Sequence, residues 1–335
     1  MTRRLIDYLF ISLKGLAMGA ADAVPGVSGG TIAFISGIYE ELISTISNVN
    51  LSLLKTLRKE GFLEFWKQLN GNFLLALLSG IVISFVSFMR LAKYLIENQP
   101  VLIWSFFFGL IVASIYFVGI QIKKWNLSTI LGFALGAVIA YYISSLPSSA
   151  GSTNPFFLCF AGALAICAMI LPGISGSFIL VILGAYKTLS DAVHDFDFQR
   201  IGLFVIGAIV GLLSFSRLLK WLFKNYHNLT LAVLTGFILG SLNKVWPWKQ
   251  TVSVLDKQGE VFQFSDISQL GTLSVYQKSV GDFETLKTVT EASVSPYVYG
   301  DINGGLDPQV LTSILLMIAG FLTIFILEKI GKKLN

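Results

Sequence analysis

"ADAVPGVSGGTIAFISGIYEELI", residues 21–43, sets a proline, four glycines and an aspartate where the chain is otherwise running as an apolar helix. Proline lacks an N–H and ends a helix, and glycine permits a tight reversal and close backbone approach. Irregular backbone at membrane depth is tolerated only where protein or water covers it. A second stretch, "AMILPGISGSFILVILGAYKTLS" at 168–190, repeats the same break. Two breaks of one kind in one apolar chain decide the fold.

The 335 residues are 54% hydrophobic and 13% charged, with a mean hydropathy of +0.74. That is the composition of a membrane protein, not a soluble domain. Several runs reach the roughly 20 apolar residues that cross a hydrocarbon core. They are continuous, which excludes the alternating pattern of an outer-membrane barrel. The reading is an all-α polytopic membrane protein with helices at 5–21, 72–97, 101–122, 127–146, 155–171, 200–224, 228–247 and 309–328. Between them lie a partly amphipathic connector, 44–71, and a polar insert, 251–308. The start of the chain resembles a signal peptide, but Asp7 and Lys14 interrupt its apolar run, so it reads as retained structure.

The net charge of +5 comes from lysines and arginines scattered at span ends, which is not a nucleic-acid pattern. Cys159 and Cys167 read as packing residues, and His194 and His227 lie near span ends. No Cys, His or carboxylate spacing calls for a metal or other cofactor.

The breaks belong to an internal duplication. At an offset of 147, Pro25, Gly26, Ser28, Gly29, Ile32, Gly37, Tyr39 and Leu42 match Pro172, Gly173, Ser175, Gly176, Ile179, Gly184, Tyr186 and Leu189. At an offset of 127, "SFMRLAKYLIEN" (87–98) matches "SFSRLLKWLFKN" (214–225), and Gly80 and Gly109 match Gly207 and Gly236. The expected units are 1–146 and 147–335, the first with a connector about 20 residues longer.

Charge orients the repeat. Excess lysine and arginine marks the cytoplasmic side. This places there Arg3 and Arg4, the 44–71 connector, Lys123 and Lys124, the Arg217, Lys220 and Lys224 group, and the Lys329–Lys333 end. The uncharged 146–154 segment and the 251–308 insert, with eight acidic residues against three lysines, fall outside. These placements agree only if 5–43 and 155–190 are re-entrant hairpins entering from opposite sides. The two repeats are then inverted, a transporter signature, with both termini cytoplasmic. The insert begins "TVSVLDKQGEVFQFS", which alternates about a turn at 257–259 and reads as a small external β-rich cap.

A helix restarting after a break offers unpaired N–H groups and the positive end of its dipole. That is a ready site for a phosphate-like anion. The expected cradle comprises Pro25, Gly26, Ser28, Gly29, Gly30 and Thr31 from one hairpin and Pro172, Gly173, Ser175, Gly176 and Ser177 from the other. Ser28 or Thr31 is placed to cap the first restarting helix. Asp22, whose counterpart is Met169, either couples transport to a proton or sodium ion or caps the hairpin locally. Arg90 and Arg217, each one turn from a lysine (Lys93, Lys220), either catch an anionic headgroup at opposite faces or anchor helices at the interface. Tyr39 and Tyr186 read as interfacial aromatics, and Glu40 and Glu41 as an interfacial close to the first hairpin.

"GAADAVPGVSGGTIAFISGIYEELI" and "LPGISGSFILVILGAY" resemble the two signature copies of the bacterial polyprenyl-phosphate transporter family, and the likeness covers nearly all of the chain outside 251–308. The resemblance implies a flippase of the bacterial cytoplasmic (inner) membrane. It would return undecaprenyl phosphate, a lipid carrier of envelope synthesis, to the cytoplasmic face. It also implies that the headgroup passes through the protein, with the lipid tail left among membrane lipids. The competing reading on the same fold is a carrier of a small soluble anion or a cation-coupled antiporter. A lipid-phosphate phosphatase would need a histidine or metal near the motifs, and no histidine lies near either, so an enzyme is not expected.

Overall fold

The computed structural model describes residues 3–22, 28–146, 155–255, 261–263, 287–303, 305 and 307–334. In the first half, α1 (Leu5–Asp22), α2 (Gly29–Ile35) and α3 (Tyr39–Ser47) are followed by short α4 (Leu51–Lys59) and α5 (Phe62–Gln68). Long α6 (Gly71–Asn98), α7 (Pro100–Gly119) and α8 (Leu127–Ser145) complete it. The second half runs α9 (Pro155–Ile170), α10 (Gly176–Ile182), α11 (Ala185–His194), α12 (Phe198–Asn225) and α13 (His227–Gly240). A 3-10 turn (Ser241–Val245), strands β1 (Lys249–Leu255), β2 (Val261–Gln263) and β3 (Lys287–Ser293), α14 (Pro296–Ile302) and α15 (Val310–Leu334) end it.

This is a mostly helical, multi-pass membrane protein. Among the described residues, Pro100–Gly119, Leu127–Ser145, Phe198–Asn225 and His227–Val245 are long and apolar enough to cross a membrane. The apolar stretches Gly71–Ser84, Phe156–Ile170 and Val310–Phe325 are shorter. Side chains set where the helices begin. Asn126 and Thr129 form a reciprocal capping box on α8. Asp197 accepts from Gln199 N and Arg200 N at the start of α12, and Asn50 caps α4.

The duplication reappears in three dimensions. The short helices α2 and α10 start and stop at positions 147 apart, and each is followed by a left-handed glycine, Gly37 at φ 74° and Gly184 at φ 66°. α1 packs along α6 and α9 along α12. A Cβ on Gly15 would lie 2.3 Å from Leu77 O, and one on Gly162 would lie 2.4 Å from Phe204 O. Glycine there lets two helices touch backbone to backbone, as membrane helices favour.

The remaining long helices cross over. α7 packs on α15 and α13 on α8, so the second span of each half takes the third span of the other. Gly320 faces Phe106 O and Gly136 faces Val233 O, both at 2.1–2.4 Å from a hypothetical Cβ. In these contacts α8 and α15 play corresponding parts at an offset of 184, where "LSTIL" (127–131) matches "LTSIL" (311–315) in sequence. One buried cluster runs through the joined halves, from Phe73 and Leu77 through Ile111 and Val118 to Leu234 and Ile238.

β1 pairs antiparallel with both β2 and β3. Tryptophans tie this sheet to the helices, with Trp246 Nε1 donating to Val294 O and Trp248 Nε1 to Pro308 O, both at 2.8 Å. The expected turn at 257–259 lies outside the described residues.

Candidate functional site

The two broken segments meet. Ser28, at 4% exposure, is the N-cap of α2; its Oγ accepts from Gly30 N at 3.1 Å and donates to Met169 O at 3.3 Å. Thr31 is buried and its Oγ1 accepts from Gly173 N at 2.9 Å. Gly173 has φ 87° and lies so close to α13 that a Cβ would sit 2.7 Å from Phe237 O and 2.8 Å from Ser241 Oγ. Gly30 lets the two broken segments approach closely, because a Cβ there would come within 2.8 Å of Ile170 O and 2.9 Å of Met169 O. Ser28, Gly30, Thr31 and Gly173 are thus brought together. Pro172 and Gly176 are buried beside them, and Gly176 faces Ala165 O. Ser175 is described at this turn. Pro25, Gly26 and the side chain of Ser177 lie outside the described residues.

The start of α2 is not an open anion site in this arrangement. Asp22 Oδ1 accepts from Gly29 N at 2.6 Å, and a Cβ on Gly29 would fall 2.3 Å from Asp22 Oδ2. The carboxylate sits where a bound anion would sit, at the positive end of the short helix. Gly176 lies nearest Ala165 O, and the Cβ of Met169, the sequence counterpart of Asp22, is 3.2 Å from a hypothetical Gly176 Cβ. The second motif therefore carries a thioether where the first carries a charge.

Arg217 is not drawn to the motifs. Its Nη2 donates to Val49 O at 2.9 Å, and Lys220 Nζ donates to Asn48 Oδ1 at 2.9 Å, both just beyond α3. His227 Nδ1 lies 3.7 Å from Glu40 Oε1, completing a row of polar links from α12 and its end to α3. Arg90 belongs to the helical backbone of α6, and its side chain lies outside the described residues. The helices α3 and α11 are not equivalent: α3 packs on α12 of the other half, whereas α11 packs on α12 of its own.

Tyr39 departs from its expected interfacial place. It is 2% exposed, and its hydroxyl donates to Ile170 O at 3.1 Å. Its ring packs edge-on to Phe34 and Phe223. A tyrosine beside two glutamates reads as a surface residue only until α12 covers it. Glu41 receives Arg3 through two hydrogen bonds of 2.6 Å and Asn70 through one of 2.9 Å, closing the start of α1 onto α3. Among the described residues, no group of three or more His, Cys, Asp or Glu could hold a metal ion.

The profile of the undecaprenyl phosphate translocase-like (VCA0040-like) family matches residues 18–262, which include both broken segments. The chain belongs to this family. It is 40% identical over 334 residues to a protein of Vibrio cholerae serotype O1 named polyprenyl-phosphate transporter, covering 99% of this chain and 100% of that one. It is 31% identical over 263 residues to a polyprenyl-phosphate transporter of Staphylococcus aureus, covering 72% of this chain and 88% of the relative. No solved structure matches the chain.

Proposed function

We propose that this member of the translocase-like family moves the phosphate headgroup of a polyprenyl phosphate across the bacterial cytoplasmic membrane, returning the lipid carrier to the cytoplasmic face. The observation that carries the reading is the meeting of two repeat-related helix breaks, joined by Ser28 to Met169 and by Thr31 to Gly173. Both relatives are named for the same substrate class.

On this reading 5–43 and 155–190 are re-entrant hairpins of two inverted repeats, with both termini cytoplasmic and the sheet outside. The cradle is formed by Pro25, Gly26, Ser28, Gly29, Gly30 and Thr31 with Pro172, Gly173, Ser175, Gly176 and Ser177. Asp22 is the coupling group. Ionised, it holds Gly29 N; neutralised by a proton or sodium ion, it releases the start of α2 to the headgroup. Arg217 acts through the seam it makes with Val49, which shuts the cytoplasmic side while α11 stays on its own half. Arg90 is the repeat counterpart of Arg217 and serves the other face. Such broken helices bind and release an anion, which is transport and not covalent chemistry.

The test is translocation of labelled undecaprenyl phosphate in proteoliposomes under imposed proton or sodium gradients. Movement by the wild type is expected. Absence of lipid movement under either gradient, with movement of a soluble anion instead, overturns the lipid assignment.

A further inference from the structure

We propose that Lys244 is a direct contact for the phosphate monoester headgroup, made beside the second helix break from the side that bears the sheet. The proposal rests on the polyprenyl-phosphate reading and adds a cation that the repeat alone does not reveal.

Lys244 lies in the 3-10 turn that ends α13, one turn after Ser241, which itself touches the reversal at Gly173. Its Nζ stands 4.3 Å from the ring centroid of Phe178, two residues into α10. The contact holds the ammonium in place by cation–π attraction and leaves its N–H groups to other partners. Among the described residues its Nζ makes no hydrogen bond and no ion pair.

The neighbouring lysine shows what a satisfied cation looks like here. Lys249 Nζ lies 3.2 Å from Glu291 Oε2, donates to Lys244 O and sits 3.9 Å over the ring of Trp104. Glu291 is thereby engaged with Lys249. The second motif offers no replacement, because Met169 stands where the first has Asp22. A cation half-withdrawn from water costs free energy unless a counter-charge meets it. Glu291 acts on Lys244 through space while it pairs with Lys249; among the described residues no carboxylate meets the ammonium at bonding distance, so the complementary charge is that of a ligand. Lysine presents a compact charge with three donors and is a common phosphate binder.

The contact is one-sided. At the offset of 127 the counterpart of Lys244 is Phe117, a buried core residue. The first break carries its own carboxylate and no such lysine, and the second carries the lysine and no carboxylate. A headgroup arriving from the sheet side meets an open cation, whereas one at the first break must displace Asp22.

The experiment uses the full chain in phosphatidylcholine vesicles, with farnesyl phosphate as probe and inorganic phosphate as competitor. Initial rate and binding are measured against probe concentration for wild type, Lys244→Met and Lys244→Arg. Lys244→Met should raise the half-saturating concentration about tenfold, the loss of one charge-assisted hydrogen bond, with the limiting rate kept. Lys244→Arg should recover most of the affinity. If Lys244→Met fails to fold, Lys244→Gln is read in the same way. Unchanged half-saturation in the neutral variant, or a lowered limiting rate that arginine does not rescue, overturns the contact. Wild type that binds inorganic phosphate through Lys244 but neither binds nor moves farnesyl phosphate sinks the lipid reading and keeps the contact. Wild type that binds neither probe sinks both.

Discussion

The hydroxyl of Tyr39 donates to the main-chain oxygen of Ile170, the last residue of α9, 131 positions away in sequence. This bond fixes α3 of one half to the end of α9 in the other. Tyr39→Phe keeps the ring contacts and should cost about 1 kcal/mol. Tyr39→Ala also removes the ring and should cost about 3–5 kcal/mol. Thermal melting in detergent separates the two, and an unchanged midpoint for Tyr39→Phe would show that the bond adds nothing.

Glycines at the crossing should divide into two classes. Gly30→Ala sets a methyl against the oxygens of Met169 and Ile170 and should destabilise by about 1–3 kcal/mol. Gly202 has open space around it, and alanine in the α12 interior should there be neutral or stabilising by up to about 1 kcal/mol. Equal melting temperatures for the two variants would contradict the close approach.

Asp22→Asn retains an oxygen to accept from Gly29 N but removes the charge. Folding should be preserved, and transport should lose its response to an imposed proton or sodium gradient. Asp22→Ala leaves Gly29 N without its partner and should cost about 1–3 kcal/mol of stability. A gradient response that survives Asp22→Asn would move coupling elsewhere.

The seam between α3 and α12 should open when its polar links are cut. In Arg217→Ala with Lys220→Ala, amide hydrogen exchange over residues 44–50 should quicken while α13 remains protected, since local openings report local contacts. Uniform quickening across the chain would instead indicate global loss of stability.

The two breaks, the offsets of 147 and 127 and the long helices were legible in the residues because apolar runs and proline–glycine punctuation are local signals. The correspondence of α8 with α15 was not, since the 251–308 insert moves the offset to 184 and hides "LTSIL" from a comparison at 127. Tyr39 was misread because burial by a helix more than 150 residues away leaves no local mark. That Asp22 would occupy the start of α2 depends on a 2.6 Å contact across a reversal, which spacing alone leaves open. Lys244 leaves no local mark either, being one lysine among aromatics. The signal that would have found it is its counterpart, an apolar Phe117 where the repeat predicts equivalence.

The exchange of partners among the long helices also sets a timetable. α7 is made early, yet its packing partner α15 begins about 190 residues after α7 ends. At ribosomal speeds of about 5–20 residues per second, that is a wait of roughly 10–40 s. Until then the side of α7 around Gly109 lacks the helix that covers it, Gly109 facing Met317 O in the folded chain. A chain interrupted before α15 would leave that side uncovered, so a helix of the second half completes the first.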